Sequence, residues 1–462
     1  MFINPNINFD NVAIESYNGS VKTYAELEFE AEELKRAINQ ERATVLIIAD
    51  KSIESVSMYY YCLANRYVPF VIDEQTNDNL LASLIFNYRF NYIFCRNSKT
   101  IPQVMEQKKV YKFGEYSLFP NYQSPHNIHP DLALLMSTSG STGSSKSVRV
   151  TYKNLQTACA ASADFYGTYQ DDIGMMVLPM AYCFGQVFLL IHFMKGAKIC
   201  VSNYSVFENE FWKFFDKSQI TNFFCVPYTS NHLKRLNFFE RDYPSLRYIC
   251  QGGGKSDYSV IDAFCQSKMS KHCEYFIVYG QTEAIMISSL PSKYLAIKPD
   301  SVGVSLPNIN VSIRDNLTSG EIVVQGDNIF LGYAETYEDL SRGDEIRGTL
   351  FTGDIGTFDE DGCLYILGRK SRFSKIAGLR ISHDEIERIL RKGFSNLELA
   401  CIGNDNLVVI ACGGVVDTDV ILNHISKSIH LDKHFIKVIC LENLPHLVNG
   451  KVDYQRLKKE HL

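Results

Sequence analysis

No CxxC pair occurs in this sequence, although it contains thirteen cysteines, and those cysteines form no regular ladder. Most lie inside apolar runs, such as Cys95 in YIFC and Cys225 in FFCVP, where cysteine packs as a small hydrophobe. The pattern argues against zinc ligation and against a disulfide framework, and points to a reducing compartment. No uninterrupted apolar run reaches the ~18 residues that a membrane-spanning helix needs. The opening MFINPNINFD lacks the basic stretch and apolar block of a secretion signal. A cytoplasmic protein without a membrane span is therefore expected. Charge of one sign is also scarce. Lys and Arg number 46 against 52 Asp and Glu, a net −6, so nucleic acid and anionic membrane are not default partners. Internal repeats and low-complexity segments are missing as well.

Ordinary globular material fills the rest, with 46% apolar and 21% charged residues over 462 positions. That length suggests two or three domains. From Val45 to about Val278, short apolar strands alternate with amphipathic helices. Strands are expected at 45–50, 70–73, 92–95, 132–136, 175–179, 197–201, 223–227, 247–250 and 275–279, with helices such as 52–65 and 208–218 between them. Such alternation builds α/β layers around largely parallel sheet. An earlier helix announces itself by a capping box of Thr23 and Glu26, followed by Leu27, Ala31, Leu34 and Ile38 on one face. After about Gly303 the segments become short and turn-rich, which indicates a smaller β-region. Beyond Gly368 a polar RKSRFSK leads into an α+β pattern, with strands at 399–403, 407–415 and 435–441 and helices at 383–392 and 419–429. The expected architecture is α/β: a large N-terminal domain (1–368) of layered α/β subdomains plus the small β-region, a hinge (369–372), and a mobile α+β C-terminal lid (373–462).

The most informative stretch is STSGSTGSSKS, from Ser137 to Ser147, directly after the strand LALLM. Gly140 and Gly143 let the backbone turn tightly and aim N–H groups at an anion. Ser139, Ser141, Thr142 and Ser144 add hydroxyl donors, and Lys146 adds a cation. The loop suits a polyphosphate. It is not a Walker A motif, which requires Gly immediately before the Lys, where this chain has Ser145.

With this loop in place, the chain resembles the adenylate-forming superfamily of acyl-CoA synthetases, peptide-synthetase adenylation domains and beetle luciferases. The resemblance runs in the family's order over nearly the whole length. TYAEL at 23–27, SGSTGSSK at 139–146, LPMAYCFGQ at 178–186, YGQTEA at 279–284, TGD at 352–354, GRKSRFSKIAGLRISHDEIE at 368–387 and PHLVNGKVD at 445–453 carry it. The implied reaction joins a carboxylate to the α-phosphorus of ATP, with Mg²⁺, and releases pyrophosphate.

The resemblance assigns the β- and γ-phosphates to Ser139, Gly140, Ser141, Thr142, Gly143 and Lys146. Thr282 would bond the α-phosphate, and Glu283 would hold Mg²⁺ as a hard oxygen ligand. Tyr279 would stack on adenine, with Gly280 and Gln281 beside it, and Gly252, Gly253 and Gly254 would let the backbone approach that ring. Asp354 can accept both ribose hydroxyls, and Arg369 would support ribose or phosphate from the hinge. The two half-reactions would use different lid positions. Lys451 would bridge the attacking carboxylate and the α-phosphate when the lid closes, and the hinge near Ser371 would absorb its rotation. The acid pocket is expected beside Tyr182, Phe184, Tyr228 and Gly253, for a small or medium-sized acid. Ser382 and Glu385 form a capping-box pattern, which needs no catalytic role.

The chain departs from the family pattern at Ser145 and Ser147 in the loop, at Ser371 in the hinge, and at Tyr182, where many acyl-CoA synthetases carry His. Cys183 stands where amino-acid-activating domains have the Asp that grips an amine, and an unpaired buried ammonium is costly. The expected function is ATP-dependent acid activation, followed by thioester formation with coenzyme A or a separate phosphopantetheinyl carrier protein. Acyl transfer to a non-thiol acceptor and an inactive nucleotide-binding module are the alternatives.

Overall fold

The computed structural model describes residues 7–99, 101, 109–122, 127–137, 146–370, 372–376, 379–394, 397–404, 406–429, 431–447 and 451–462. Among them, thirteen strands form one sheet and eight a second. At the heart of the larger sheet, Val12–Ser16, Lys198–Val201, Ile173–Met175, Asn222–Cys225, Tyr248–Gly252 and Glu274–Tyr279 run parallel. The strands that follow, from Ser288–Leu290 onward, continue that sheet antiparallel. In the second sheet Leu132–Ser137, Val68–Asp73, Thr44–Ala49 and Tyr92–Arg96 are parallel. Helices such as Ile53–Ala64, Tyr152–Tyr166 and Cys183–Lys195 pack into the largest apolar cluster, which joins the sheets.

Local signals explain much of this. The first helix, Tyr24–Ile38, starts on the expected box: Thr23 Oγ1 accepts from Glu26 N while the Glu26 carboxylate accepts from Thr23 N. Its buried residues include Leu27, Ala31, Leu34 and Ile38. One expected strand, 175–179, is corrected. The ladder runs over Ile173–Met175; Met176 N makes one last bond to Cys200 O, and by Pro179 the chain has turned toward Cys183, with Tyr182 N donating to Pro179 O.

The C-terminal segment carries its own core. Glu398–Gly403, Val408–Gly413 and Ile436–Leu441 form a three-stranded sheet. One face packs on the His383–Gly393 and Thr418–Ile429 helices through Ile386, Leu390, Ile421 and Ile425. The other meets Leu444 and Leu457. Ser382 caps the first of these helices through Glu385 N. The return half of the expected box is not used, because the Glu385 carboxylate pairs with Arg388.

Candidate active site

The site lies where parallel strands end. Tyr248–Gly252 runs into Gly253 and Gly254, Asn222–Cys225 into Val226–Tyr228, and Glu274–Tyr279 into Gly280–Glu283. Crevices beyond the carboxyl ends of such strands are where α/β sheets bind ligands. The turn after Tyr279 is tight. Ala284 N and Ile285 N both donate to Gln281 O, and Ile285 sits at φ 62°. A side chain at Gly280 would lie 2.2 Å from Ile285 O, so only glycine fits. Asn328, fully buried, braces the turn by donating to Ala284 O at 2.8 Å and Met286 O at 3.3 Å. Thr282, part of the turn, is buried, and among the described residues Gln281 Nε2 has no hydrogen-bond partner.

The Ser139, Gly140, Ser141, Thr142 and Gly143 assignments, with Ser145, lie outside the described residues. The ends of their loop are fixed. Leu132–Ser137 and Ser147–Thr151 are antiparallel neighbours with Ser137 opposite Ser147. Ser147, one of the departures from the family pattern, is buried and its hydroxyl shares a 2.8 Å hydrogen bond with Tyr88. The strand Gly332–Ala334 pairs with Ser147–Thr151, setting Tyr333 opposite Val148. Tyr333 therefore stands beside Lys146, whose Nζ lies 3.5 Å from the centre of its ring. The Tyr333 hydroxyl donates to Glu283 Oε1 at 2.9 Å. One tyrosine thus links the loop's cation to the carboxylate of YGQTE. Among the described residues Glu283 Oε2 has no partner, which suits the carboxylate to a hard cation.

Asp354 lies on Thr349–Phe358, directly across from Arg369 on Leu364–Arg369. Arg369 Nε reaches its Oδ1 at 3.1 Å and the Tyr279 hydroxyl donates to its Oδ2 at 2.7 Å. These partners leave Asp354 only 4% exposed. Tyr279 is itself buried, and burial with the Asp354 charge beside it raises its phenol far above the ordinary range, so it stays a donor.

Arg369 also marks the start of the C-terminal segment, since its N–H donates to Asp384 Oδ2 at 2.7 Å. Arg372 is held by Asp384, by Glu387 and by the Cys401 carbonyl, with the Tyr454 ring 4.0 Å beneath its guanidinium. Ser371, between these arginines, lies outside the described residues.

From the C-terminal segment, Lys451 reaches the strand ends. A side chain added at Gly253 would lie 3.7 Å from Lys451 Cε and 3.9 Å from its Nζ. Burial, followed by the nearby Arg369 charge, holds the Lys451 ammonium below the ordinary lysine value. Cys183 is close enough to feel both Lys451 and Glu283, and burial pushes its thiol up to about 12. Tyr182, N-cap of the same helix, is likewise raised to about 12 by burial and by Asp73. Phe184 lies against Gly252 and packs at a tilt on Phe224. Tyr228 turns elsewhere. Its ring faces His232 at 4.3 Å and His446 of the C-terminal segment at 6.2 Å, and it is 44% exposed.

The structure thus gathers Lys146, Glu283 and Tyr333 on one side, Tyr279, Asp354 and Arg369 on another, and Lys451, Cys183, Phe184 and Gly252–Gly254 between. Sequence reasoning did not single out Tyr333 or Asn328. Both act through contacts made far along the chain, and no local pattern marks either.

Among the described residues no helix is long and apolar enough to cross a membrane. Several solved structures share the fold. The o-succinylbenzoate CoA synthetase MenE from Bacillus subtilis, in complex with its acyl-adenylate intermediate OSB-AMP, aligns with a TM-score of 0.77 at 20% identity, covering 97% of this chain and 95% of that one. ATP-bound MatB from Rhodopseudomonas palustris gives 0.78 at 21% identity, covering 98% and 96%. In sequence, a 2-succinylbenzoate–CoA ligase of Bacillus cereus (strain ZK / E33L) is 27% identical over 372 residues, 76% of this chain and 75% of the relative. The 4-coumarate–CoA ligase 2 of Solanum tuberosum is 24% identical over 491 aligned positions, 95% and 89%. The family model described as AMP-binding enzyme matches residues 6–334. That span is well over half of the chain, and the protein belongs to the AMP-binding enzymes.

Proposed function

We propose that this chain is a cytoplasmic ATP-dependent acid–thiol ligase that activates a small-molecule carboxylic acid as its acyl adenylate and passes the acyl group to coenzyme A or to a separate carrier protein. In the first half-reaction an acid oxygen bonds to the α-phosphorus of ATP while the bond to the β-phosphate bridge breaks and pyrophosphate leaves. Two anions must meet, so the site must supply fixed positive charge. The observation that carries the reading is Lys451, which comes from near the end of the chain to lie over Gly253 within electrostatic reach of Cys183.

In this reading Lys146 and the Ser139–Gly143 loop hold the outer phosphates, Thr282 bonds the α-phosphate, and Gln281 lies beside the adenine. Tyr279, Gly280 and Gly252–Gly254 form the adenine site. The Asp354 carboxylate, oriented by Tyr279 and Arg369, accepts the ribose hydroxyls. Glu283, steadied by Tyr333, holds Mg²⁺, which supplies charge neutralisation on the phosphates. Residues 1–368 form the body, 369–372 the hinge and 373–462 a lid, whose rotation withdraws Lys451 and admits the thiol. Support for the hinge comes from Arg369, which pairs with Asp354 of the body while its N–H is held by Asp384.

Pyrophosphate exchange into ATP across a panel of carboxylic acids tests the reading. Acid-dependent exchange is expected with at least one acid. A protein that binds ATP and exchanges with none would overturn it.

A further inference from the structure

The stretch that carries Lys451 folds back on itself. His446 and Val452 are antiparallel bridge partners. Leu447 N donates to Lys451 O at 2.7 Å, and Asp453 N donates to Pro445 O at 2.7 Å. The root of this hairpin is fixed in the C-terminal segment, where Leu444 and Leu457 are buried and Val452 packs against them. His446 and Lys451 therefore stand on the two strands of one hairpin, cross-linked by backbone hydrogen bonds, and move as one piece.

Both strands of the hairpin meet the same part of the body. Lys451 lies over Gly253, where a side chain would also be 3.4 Å from Val226 Cγ1, and one at Gly254 would be 3.2 Å from Pro227 Cγ. Pro227 opens the helix Pro227–Arg235. The next residue is Tyr228, whose ring lies 6.2 Å from the His446 ring at a 48° tilt, within the span of favourable aromatic pairs. Each ring is braced from behind. Tyr228 meets His232 edge-on at 4.3 Å, and His232 meets Phe207 edge-on at 4.8 Å. On the other side, His446 Nε2 lies 2.7 Å from Glu398 Oε1, at the start of the strand Glu398–Gly403. The Glu398 charge reaches across the junction to His232 as well. Tyr228 is half-exposed, so breaking its contact with His446 costs the body little packing. A contact of this kind shifts an equilibrium by about two- to tenfold, enough to seat a hairpin and weak enough to release it.

We infer that Tyr228 and His446 are positioning residues, a catch that seats the Lys451 hairpin on the body for adenylate formation and releases it for the thiol step. The inference rests on the acid-activating reading above and adds to it what holds the lysine in place. It also gives Tyr228 a role outside the acid pocket.

Two measurements on the full chain keep the two claims apart. Single-turnover kinetics follow adenylate formation from ATP and an acid that supports pyrophosphate exchange, and thioester formation from preformed acyl adenylate and coenzyme A. Hydrogen exchange without nucleotide follows peptides covering 441–453, and needs no activity. Tyr228→Ala and His446→Ala should each slow adenylate formation about two- to tenfold and leave thioester formation within about twofold of the parent. Tyr228→Phe, which keeps the ring, should recover most of the loss. The double alanine variant should lose little more than His446→Ala alone, because one contact cannot be lost twice. Exchange at 441–453 should rise in Tyr228→Ala, although the substitution lies in the body. Should Tyr228→Ala fold poorly, His446→Ala and Tyr228→Phe still carry opposite expectations for the first half-reaction.

Equal losses in both half-reactions would overturn the inference, since they mark a merely structural role. Additive losses in the double variant would do the same, as would unmoved exchange at 441–453. Adenylate formation at the parent rate in every variant would sink the catch and keep the activity. A rise in hairpin exchange from a protein that activates no acid would keep the catch and sink the acid-activating reading.

Discussion

Asp354 shows how much of a residue's behaviour is set by neighbours that sequence does not place beside it. TGD reads as a cleft carboxylate, yet Arg369 and Tyr279 cover it until it is 4% exposed. Truncation to alanine would strand both partners, so the informative change is Asp354→Asn. It keeps the shape and removes the charge, and charge-assisted hydrogen bonds are worth about 1.5–3 kcal/mol each. ATP affinity measured by calorimetry should fall about tenfold or more, with a melting temperature close to the parent. Unchanged affinity would remove Asp354 from the nucleotide site. Lys451 supplies a pH signature. Burial disfavours its ammonium, so its proton leaves at lower pH than from an exposed lysine. Adenylate formation should therefore decline on the alkaline side earlier than an ordinary lysine allows. Rising pH through that depressed value should at the same time favour lid closure, because the closed state binds fewer protons. Lys451→Arg, which keeps its charge, should lose the alkaline decline in a pH–rate profile, and an unaltered profile would contradict the assignment.

Turns and strand ends decide which elements were legible. The capping box at Thr23 and Glu26 was readable because both partners lie within one turn. The strand at 175–179 was misread because an apolar run looks like a strand even where, as after Met175, the chain leaves the sheet for a turn. Tyr333 could not be found from its own surroundings. Its position follows from Gly332–Ala334 pairing with a strand almost two hundred residues earlier in the chain, and pairing at that range leaves no local periodicity. Glycines were legible as motif letters, and the structure supplies their reason. Gly280→Ala would drive a methyl to 2.2 Å from the Ile285 carbonyl. Overpacking of that kind costs about 1–3 kcal/mol. Thermal melting should show a clear loss of stability, with nucleotide binding weakened because the QTE turn shifts. A variant as stable as the parent would show that the turn can relax.

For the molecule as a whole, the ordered motifs made the family legible, and the alternation of strands and helices made the layered sheets and the elements of the C-terminal segment legible too. The internal fastening of that segment was not, since it depends on a buried carboxylate with partners spread along it. Glu387, 4% exposed, accepts from Arg372, from Cys401 N at 2.8 Å and from the Tyr454 hydroxyl at 3.0 Å. Removing one member of such a network typically destabilises by about 3–5 kcal/mol. In Glu387→Ala, hydrogen exchange across 373–462 should rise well above that of the body. Uniform protection across the chain would mean that the two units unfold together.

The central claim is that Lys451 acts in one half-reaction only, and single-turnover kinetics of Lys451→Ala tests it most directly. One reaction starts from ATP and a substrate acid, the other from preformed acyl adenylate and the thiol acceptor. Adenylate formation should fall on the order of 10²-fold or more, the scale of a lost transition-state donor, while thioester formation stays within a few-fold of the parent. Equal losses in both reactions, or no loss in either, would contradict the account.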